Sequence, residues 1–573
     1  FGLGDMRRCA STTALVVASS VDKAPLLSKL GADFSHRGPD VIGRCIAVRV
    51  VAKSSGAAET ALADGWLTGD GPRPDVWSPS GSVWLPLLED RLAAGQRSSL
   101  VPAPASVPSI AASPMVVAMP RPMAQALGWP DKPIGWSDLL QLASSGTGWA
   151  RFGHPEWGQF RLGKTNPNFS HAGLEGTIAA YYAAVGRTSG LTRDDVASAQ
   201  TRKFVAGVEQ SIVRYGDNTV TFLSDWQRAD ATGQALSYIS AVVTEENLVP
   251  SYNDGNPGAD PAQVGKNPHP AVPLVAIYPR EGTFIADHPY AVLSEPWVNA
   301  DKRAAAAAFL DYLLSPKVQK VWQDNHYRDA QDRSGLGDGL ADGVIPSQPV
   351  KVLQPPAAAV TNAVLTSWAQ LRKTANVLNV MDVSGSMADR VAGTGKTKLE
   401  AAQQAAIASL GLFTDHDEVG LWTFSGGVAG KQDYTQLVPI GPMDEAVGPT
   451  VRRTALAQAL QAATPGGNTG LYNTIFAAYR TVLARYQDDR INAVVILTDG
   501  KNDAVGGLDL KGLLDGIATA SGGRAVRIFT IAYGPDADQS VLAQIAHATG
   551  GATYVAATPA DISKVYSAAL SNL

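Results

Sequence analysis

Five short apolar runs in the C-terminal third constrain the fold more than any other feature. They are NVLNVM (376–381), EVGLWTF (418–424), INAVVIL (491–497), AVRIFTIA (525–532) and ATYVA (552–556). Most lack the polar alternation of a half-exposed strand. Nearly continuous apolar runs of this length belong to parallel strands covered by helices on both faces. Helical patterns fill the gaps between them, at 396–413, 451–463, 470–486, 508–520, 538–548 and 559–571. The pattern predicts an α/β, doubly wound, Rossmann-like sheet. A ligand of such a sheet is expected outside the carboxyl ends of its strands.

The first run ends on a carboxylate and two hydroxyls, Asp382, Ser384 and Ser386, in the stretch DVSGSM. TDG (498–500) brings Asp499 to the end of the third run, and PGGNTGLYN (465–473) places Thr469 in a Gly-rich loop before a helix. Two carboxylates and three hydroxyls, with no His or Cys, form a hard-oxygen set suited to Mg²⁺ or Ca²⁺ and wrong for zinc. Singly, each motif reads as a helix cap. Together, D-x-S-x-S, the Thr of G-N-T-G-L and T-D-G resemble the von Willebrand factor type A (vWA) family over about 376–573. The resemblance implies a metal-ion-dependent adhesion site (MIDAS) made of Asp382, Ser384, Ser386, Thr469 and Asp499. It implies a bound Mg²⁺, or Ca²⁺ or Mn²⁺ in its place, with a coordination position left for an acidic side chain of a protein partner. RVAGTGKTKLE (390–400) is only superficially similar to a phosphate-binding loop, because Arg390 stands where the first glycine belongs. It reads as a surface loop opening a helix.

A chain of 573 residues is too long for one core. Residues 1–345 repeat the strand–helix alternation: ALVVA (14–18), CIAVRVV (45–51), SPMVVAMP (113–120) and ALSYISAVV (235–243) read as strands. Helices are expected at 134–144, 173–186 and 299–325, the last interrupted near Pro316. Residues 346–375, in a Gly- and Pro-rich stretch, are expected to be a linker. Small hydroxyl residues mark the turns in AKSSGAAE (52–59), DVWSPSGSVW (75–84), GKTNPNFSHAGLEG (163–176) and SYISAVVTEEN (237–247). Such turns are either ordinary caps or cradles for a polar ligand. The candidate ligand-binding residues are Ser55, Ser80, Thr165, Asn166, Ser170 and Ser240.

These stretches, with HPYAVLSEPWVNADKRAAAAAFLDYLLSP, resemble a bacterial extracellular solute-binding protein over about 9–330. The resemblance implies a two-lobed, type 2 periplasmic-binding-protein-like domain. Lobe one is expected at 9–112 and 275–330, lobe two at 113–270. The implied ligand is a small oxyanion or a sugar.

The net charge of −5 excludes the basic face that nucleic-acid binding needs. No apolar run reaches the roughly 18–20 residues of a membrane helix. The start, FGLGDMRRCAS, lacks a signal pattern, so the chain is either cytoplasmic or the mature part of an exported protein. Its two cysteines, Cys9 and Cys45, each lie beside an expected strand of one lobe. Either they are separate core thiols, or they form a disulfide worth about 3–4 kcal/mol by loop entropy. The disulfide is the expectation here, and it implies an oxidising compartment. The two-part architecture is similar to actinobacterial substrate-binding and vWA domain proteins held at the outer face of the cell membrane. The expected function is non-enzymatic recognition, adhesion or scaffolding. The alternative is a solute receptor for transport or sensing. No H-E-x-x-H or G-x-S-x-G motif points to an enzyme.

Overall fold

The computed structural model divides the chain into two units, Phe1–Leu371 and Arg372–Leu573. The structure describes residues 11–38, 40–41, 43–66, 70–216, 218–330, 342–345, 350–391, 395–426, 432–503, 507–556 and 561–571.

The first unit begins β1 (Thr12–Ser19), α1 (Ala24–His36), β2 (Asp40–Val41), β3 (Arg44–Ala52), α2 (Ser55–Ala63), β4 (Val76–Ser78) and α3 (Trp84–Ala94). It continues with β5 (Ser113–Pro120), α4 (Arg121–Leu127), α5 (Trp136–Ala143), β6 (Leu162–Thr165) and α6 (His171–Val185). Then come α7 (Arg193–Ala197), α8 (Ala199–Gln210), β7 (Ile212–Gly216), α9 (Thr219–Ala231), α10 (Ala235–Tyr238), β8 (Ala241–Glu245) and α11 (Leu248–Asn253). It closes with β9 (Leu274–Ile277), β10 (Ile285–Ala286), β11 (Ala291–Val292), α12 (Ala300–Leu313), α13 (Pro316–Asp324) and α14 (Ala358–Leu371).

Two sheets make two lobes. The first has the order β11-β4-β1-β3-β2, and the second β10-β5-β8-β6-β7 with β9 also on β5. The chain crosses between them after β4 and returns between β10 and β11. The two connections run side by side, joined by an antiparallel bridge between Ser109 and Pro289. Helices α12 and α13 pack back on the first sheet. Phe309, Leu313 and Trp322 share a core with Leu15, Val17 and Leu26. The second lobe has its own core around Val116, Phe222, Trp226 and Val242.

Two expectations are corrected. The run 235–243 is not one strand: Ala235–Tyr238 is a helical turn and the strand starts at Ala241. Within 346–375, residues Ala358–Leu371 form a helix rather than an irregular linker. Thr361, Val364 and Trp368 lie at helical spacing and are buried against the first unit. There the Trp368 indole donates to Glu209 Oε2 at 3.0 Å and meets Tyr215 edge-on at 5.5 Å. Cys45 lies in β3 opposite Thr12. Cys9 lies outside the described residues.

The second unit runs β12 (Ala375–Asp382), α15 (Lys398–Ser409), β13 (Glu418–Phe424), β14 (Tyr434–Pro442), β15 (Ala446–Val447), β16 (Thr450–Val451) and α16 (Arg452–Ala462). It ends with α17 (Leu471–Ala484), β17 (Ile491–Thr498), α18 (Leu510–Ser521), β18 (Val526–Tyr533), α19 (Gln539–Ala548), β19 (Thr553–Ala556) and α20 (Ile562–Ser571). Its main sheet has the order β14-β13-β12-β17-β18-β19. Every neighbouring pair is parallel except β13 with β14. Strand β14 escapes a search for apolar runs because it is an edge strand with Thr435, Gln436 and Leu437 exposed. An edge also tolerates Pro439.

Candidate functional site

In the second unit, β12 lies between β13 and β17, so the chain winds outward from it in both directions. The crevice beyond the carboxyl ends of such strands is where the strand order reverses. Asp382 ends β12 there and is fully buried. Its Oδ1 accepts from the Ser384 backbone N–H at 2.7 Å, and its Oδ2 accepts from the Thr498 hydroxyl. The Ser384 and Ser386 hydroxyls are 3.1 Å apart, and Ser386 donates to Asp499 Oδ1 at 2.7 Å. Thr469 faces the same spot: a Cβ built on Gly500 would lie 3.4 Å from its Oγ1. The five residues singled out from the sequence thus meet at one sheet edge.

Two residues that sequence reasoning missed complete the surroundings. Asp503 latches the Thr469 loop, accepting from the Thr469 N–H and donating its own N–H to the Thr469 carbonyl at 3.0 Å. Lys398 is the first residue of α15. Its place is set by a capping box in which Thr397 and Glu400 satisfy each other's backbone N–H groups. From there its ammonium reaches Asp499 Oδ2 at 2.7 Å and Asp389 at 3.4 Å. The T-K-L-E pattern is a signal that could have placed the helix start, but nothing local signals the reach to Asp499.

Burial pushes the Asp382 carboxyl up to about 6, against the hydrogen bonds from Ser384 and Thr498 and with help from the Asp499 charge. For Lys398, burial opposes the charge, but the hydrogen bond and charge of Asp499 outweigh it and raise its pKa. The donors Asp382, Ser384, Ser386, Thr469 and Asp499 offer only oxygen, and one positive charge already rests on Asp499. This donor set fits a hard divalent cation.

In the first unit, the turns after β1, β3 and β4 face lobe two across a cleft. Ser55, Ser80 and Ser170 line one cavity there of about 30 Å³, together with Asp22, His171 and Glu245. Ser55 Oγ accepts from the Ser80 N–H at 3.1 Å, and Ser80 Oγ donates to Asp22 Oδ1 at 3.2 Å. The other three candidates are not part of this lining. Asn166 Oδ1 accepts from the Asn168 N–H at 2.9 Å, and Ser240 Oγ accepts from the Trp149 indole and the Arg161 N–H, both at 3.1 Å. Thr165 Oγ1 is buried away from the cleft lining with no hydrogen-bond partner among the described residues. The lobes are closed on each other. Gly56 donates its N–H to the Phe169 carbonyl at 2.9 Å, and a Cβ on Gly56 would strike the Asn168 carbonyl. A Cβ on Gly81 would strike the His171 ring.

The titratable groups of this cleft were not foreseen, because they come from separate segments without a local motif. Burial raises the carboxyls of Asp22 and Glu245. It lowers His288 well below its ordinary value, with Lys23 adding to the effect, so its imidazole is neutral. Burial also lowers Lys23, to about 8. At His171 burial works the other way from the net result, which is raised by the Glu175 carboxylate.

Comparison with known proteins agrees with this division. The family model of bacterial extracellular solute-binding proteins matches residues 15–328, more than half of the chain. A von Willebrand factor type A model matches residues 377–501. Two relatives, uncharacterized proteins of Mycobacterium tuberculosis strains CDC 1551 / Oshkosh and ATCC 25618 / H37Rv, are each 25% identical over 537 residues, covering 91% of this chain and 71% of the relative. Among solved structures, a periplasmic thiamin binding protein aligns with 63% of this chain and 96% of its own length, at 13% identity and TM-score 0.40. A von Willebrand factor type A protein from Catenulispora acidiphila aligns with 34% of this chain and 41% of its own length, at 20% identity and TM-score 0.28. Among the described residues, no helix is long and apolar enough to cross a membrane. The chain belongs to the bacterial extracellular solute-binding protein family, and its second unit is a von Willebrand factor type A domain.

Proposed function

We propose that this is a non-enzymatic recognition or scaffold protein of the cell exterior. Its vWA domain holds a divalent cation, Mg²⁺ first, on Asp382, Ser384, Ser386, Thr469 and Asp499. When bound, the cation supplies a Lewis-acidic centre for an acidic side chain of a protein partner. The observation that carries this reading is the meeting of the five oxygen donors at the strand-order reversal. Asp382, Ser384 and Asp499 are buried while Ser386 is exposed, so the partner approaches from the Ser386 side. An open groove of about 680 Å³, lined by Ser386, Asp499, Gly500 and Lys501, leaves room for it. The test is capture of aspartate-containing peptides by the immobilised chain, in Mg²⁺ and in chelator. Capture should need Mg²⁺ and vanish in Asp382→Ala. Capture that is equal with and without Mg²⁺ overturns the reading.

A solute receptor for transport or sensing is the second reading, favoured by the convergence of Ser55, Ser80 and Ser170 between the lobes. Carboxylates beside these hydroxyls disfavour an oxyanion as the ligand. Export is supported by the family. An exported chain is expected to carry a Cys9–Cys45 disulfide, which free-thiol titration of the denatured, unreduced protein tests: two reactive thiols exclude it.

A further inference from the structure

The interlobe cleft holds more charge than a polar solute would need and less space than it would occupy. Ligand pockets run to hundreds of cubic ångströms, whereas the closed cleft encloses about 30 Å³. That is room for a water molecule or an ion, not for a sugar.

Three ligand-type side chains from three parts of the domain converge at this cleft: Asp22 and Glu245 line the cavity, and His288 lies against them. Asp22 comes from the turn after β1 in lobe one, and Glu245 ends β8 in lobe two. His288 lies in the return connection between β10 and β11. One oxygen of each carboxylate and one nitrogen of the imidazole lie within 4.8 Å of one another. His288 is fully buried, yet neither ring nitrogen has a hydrogen-bond partner among the described residues. Its Nε2 lies 3.2 Å from Glu245 Oε2, which is likewise unpartnered. Such a pair, close but not aligned for a hydrogen bond, has the spacing of two ligands of one ion. Donors at about 2.1 Å from a metal and at right to tetrahedral angles lie roughly 3.0–3.4 Å apart.

The charged neighbours of these three side chains lie against partners of their own. Asp22, Glu175, Glu245 and Asp287 act on one another and on Lys23, His171 and His288. Lys23 is held on lobe one, donating to Ser78 Oγ at 2.8 Å and to the Pro79 carbonyl at 3.0 Å. His171 is paired with Glu175 at 3.1 Å. Ser80, donating to Asp22, supplies the supporting hydrogen bond that metal-ligating carboxylates usually have.

We propose that the cleft of the solute-binding domain binds a first-row divalent transition metal of the zinc class through Asp22, Glu245 and His288. The imidazole separates this site from the all-oxygen site at Asp382, since nitrogen and carboxylate together select a borderline ion over Mg²⁺ or Ca²⁺. A bound ion ties lobe one, lobe two and their connection together, so binding is coupled to lobe closure. The inference rests on reading the first unit as a ligand-binding domain and is independent of the cation at Asp382.

The test uses the full chain carrying Asp382→Ala, which removes the second candidate site. After chelator treatment it is dialysed against Zn²⁺ and the bound metal is counted by mass spectrometry. One Zn²⁺ per chain is expected. Adding His288→Gln or Asp22→Asn should weaken binding by more than the roughly 10–100-fold that a supporting partner is worth. No bound Zn²⁺, or equal binding with and without these substitutions, overturns the proposal. Because buried substitutions can unfold a lobe, Co²⁺ bound to the Asp382→Ala chain gives a second readout by X-ray absorption. Imidazole nitrogen together with oxygen donors is expected, and an oxygen-only shell overturns the site. Loss of Mg²⁺-dependent peptide capture, by contrast, bears only on the vWA domain.

Discussion

In the vWA domain Asp382, Ser384 and Asp499 come from the ends of two adjacent strands, whereas in the solute-binding domain Asp22, Glu245 and His288 come from two lobes and the connection between them. The first set is fixed by the sheet itself. Met381 faces Leu497 across β12 and β17, so the residues that follow each must emerge together. The second set exists only while the lobes are closed. The two sites carry their cost differently. At Asp382 the cost is electrostatic and permanent, a buried carboxylate beside another. In the cleft the cost of burying Asp22, Lys23 and Glu245 is tied to conformation, because opening the lobes relieves it.

The largest expected effect tests the electrostatic cost. The Asp382 carboxyl is raised to about 6 in the fold, above its unfolded value near 4. The folded state therefore holds the proton more tightly. This group leaves stability undiminished below about pH 4, lowers it as pH rises to about 6, and leaves it lowered beyond. The full penalty is on the order of 3 kcal/mol at neutral pH without cation. Asp382→Asn should therefore stabilise the metal-free protein at pH 7 by up to that amount and flatten the slope between pH 4 and 6. Denaturant unfolding monitored on the vWA transition checks this. An unchanged slope would mean the carboxylate is better solvated than its burial implies.

The next effect tests the conformational cost. Gly56→Ala places a methyl against the Asn168 carbonyl of the other lobe. Overpacking of this kind costs about 1–3 kcal/mol, here charged to the closed state. Small-angle scattering should show a larger radius of gyration, and Zn²⁺ should bind at least tenfold more weakly to the cleft. Mg²⁺ binding to the vWA domain should not change. A loss at both sites would remove the contrast between a site fixed by a sheet and one made by closure.

A smaller effect concerns Lys398. Its ammonium pairs with Asp499 and competes with a cation for the same oxygens. Partly exposed pairs are worth about 1 kcal/mol or less. Lys398→Met should accordingly tighten Mg²⁺ binding by roughly fivefold. Weaker binding would instead make the lysine a support that orients Asp499.

The same contrast explains what could be read from the sequence. D-V-S-G-S packs three donors into five residues, and Thr469 and Asp499 follow at strand and helix ends that the apolar pattern locates. Asp503 and Lys398 were hidden because their roles are reaches across loops. In the solute-binding domain the strand–helix alternation was legible, and so were Ser55, Ser80 and Ser170 at turns. Asp22, Glu245 and His288 were not, because no local spacing links three segments that only lobe closure brings together. Ser240 looked like a ligand residue but serves the Trp149 indole and the Arg161 backbone. Helix α14 was masked by the prolines that precede it.

The cation site at Asp382 is tested most directly by calorimetric titration of Mg²⁺ into the wild-type chain and into Asp382→Ala. The Asp382 side chain accepts from Ser384 and Thr498 at the end of a strand whose core contacts do not depend on it. The variant should remain folded by circular dichroism. One Mg²⁺ per chain is expected in the wild type and none in the variant. Equal Mg²⁺ affinity in the two folded proteins would contradict this.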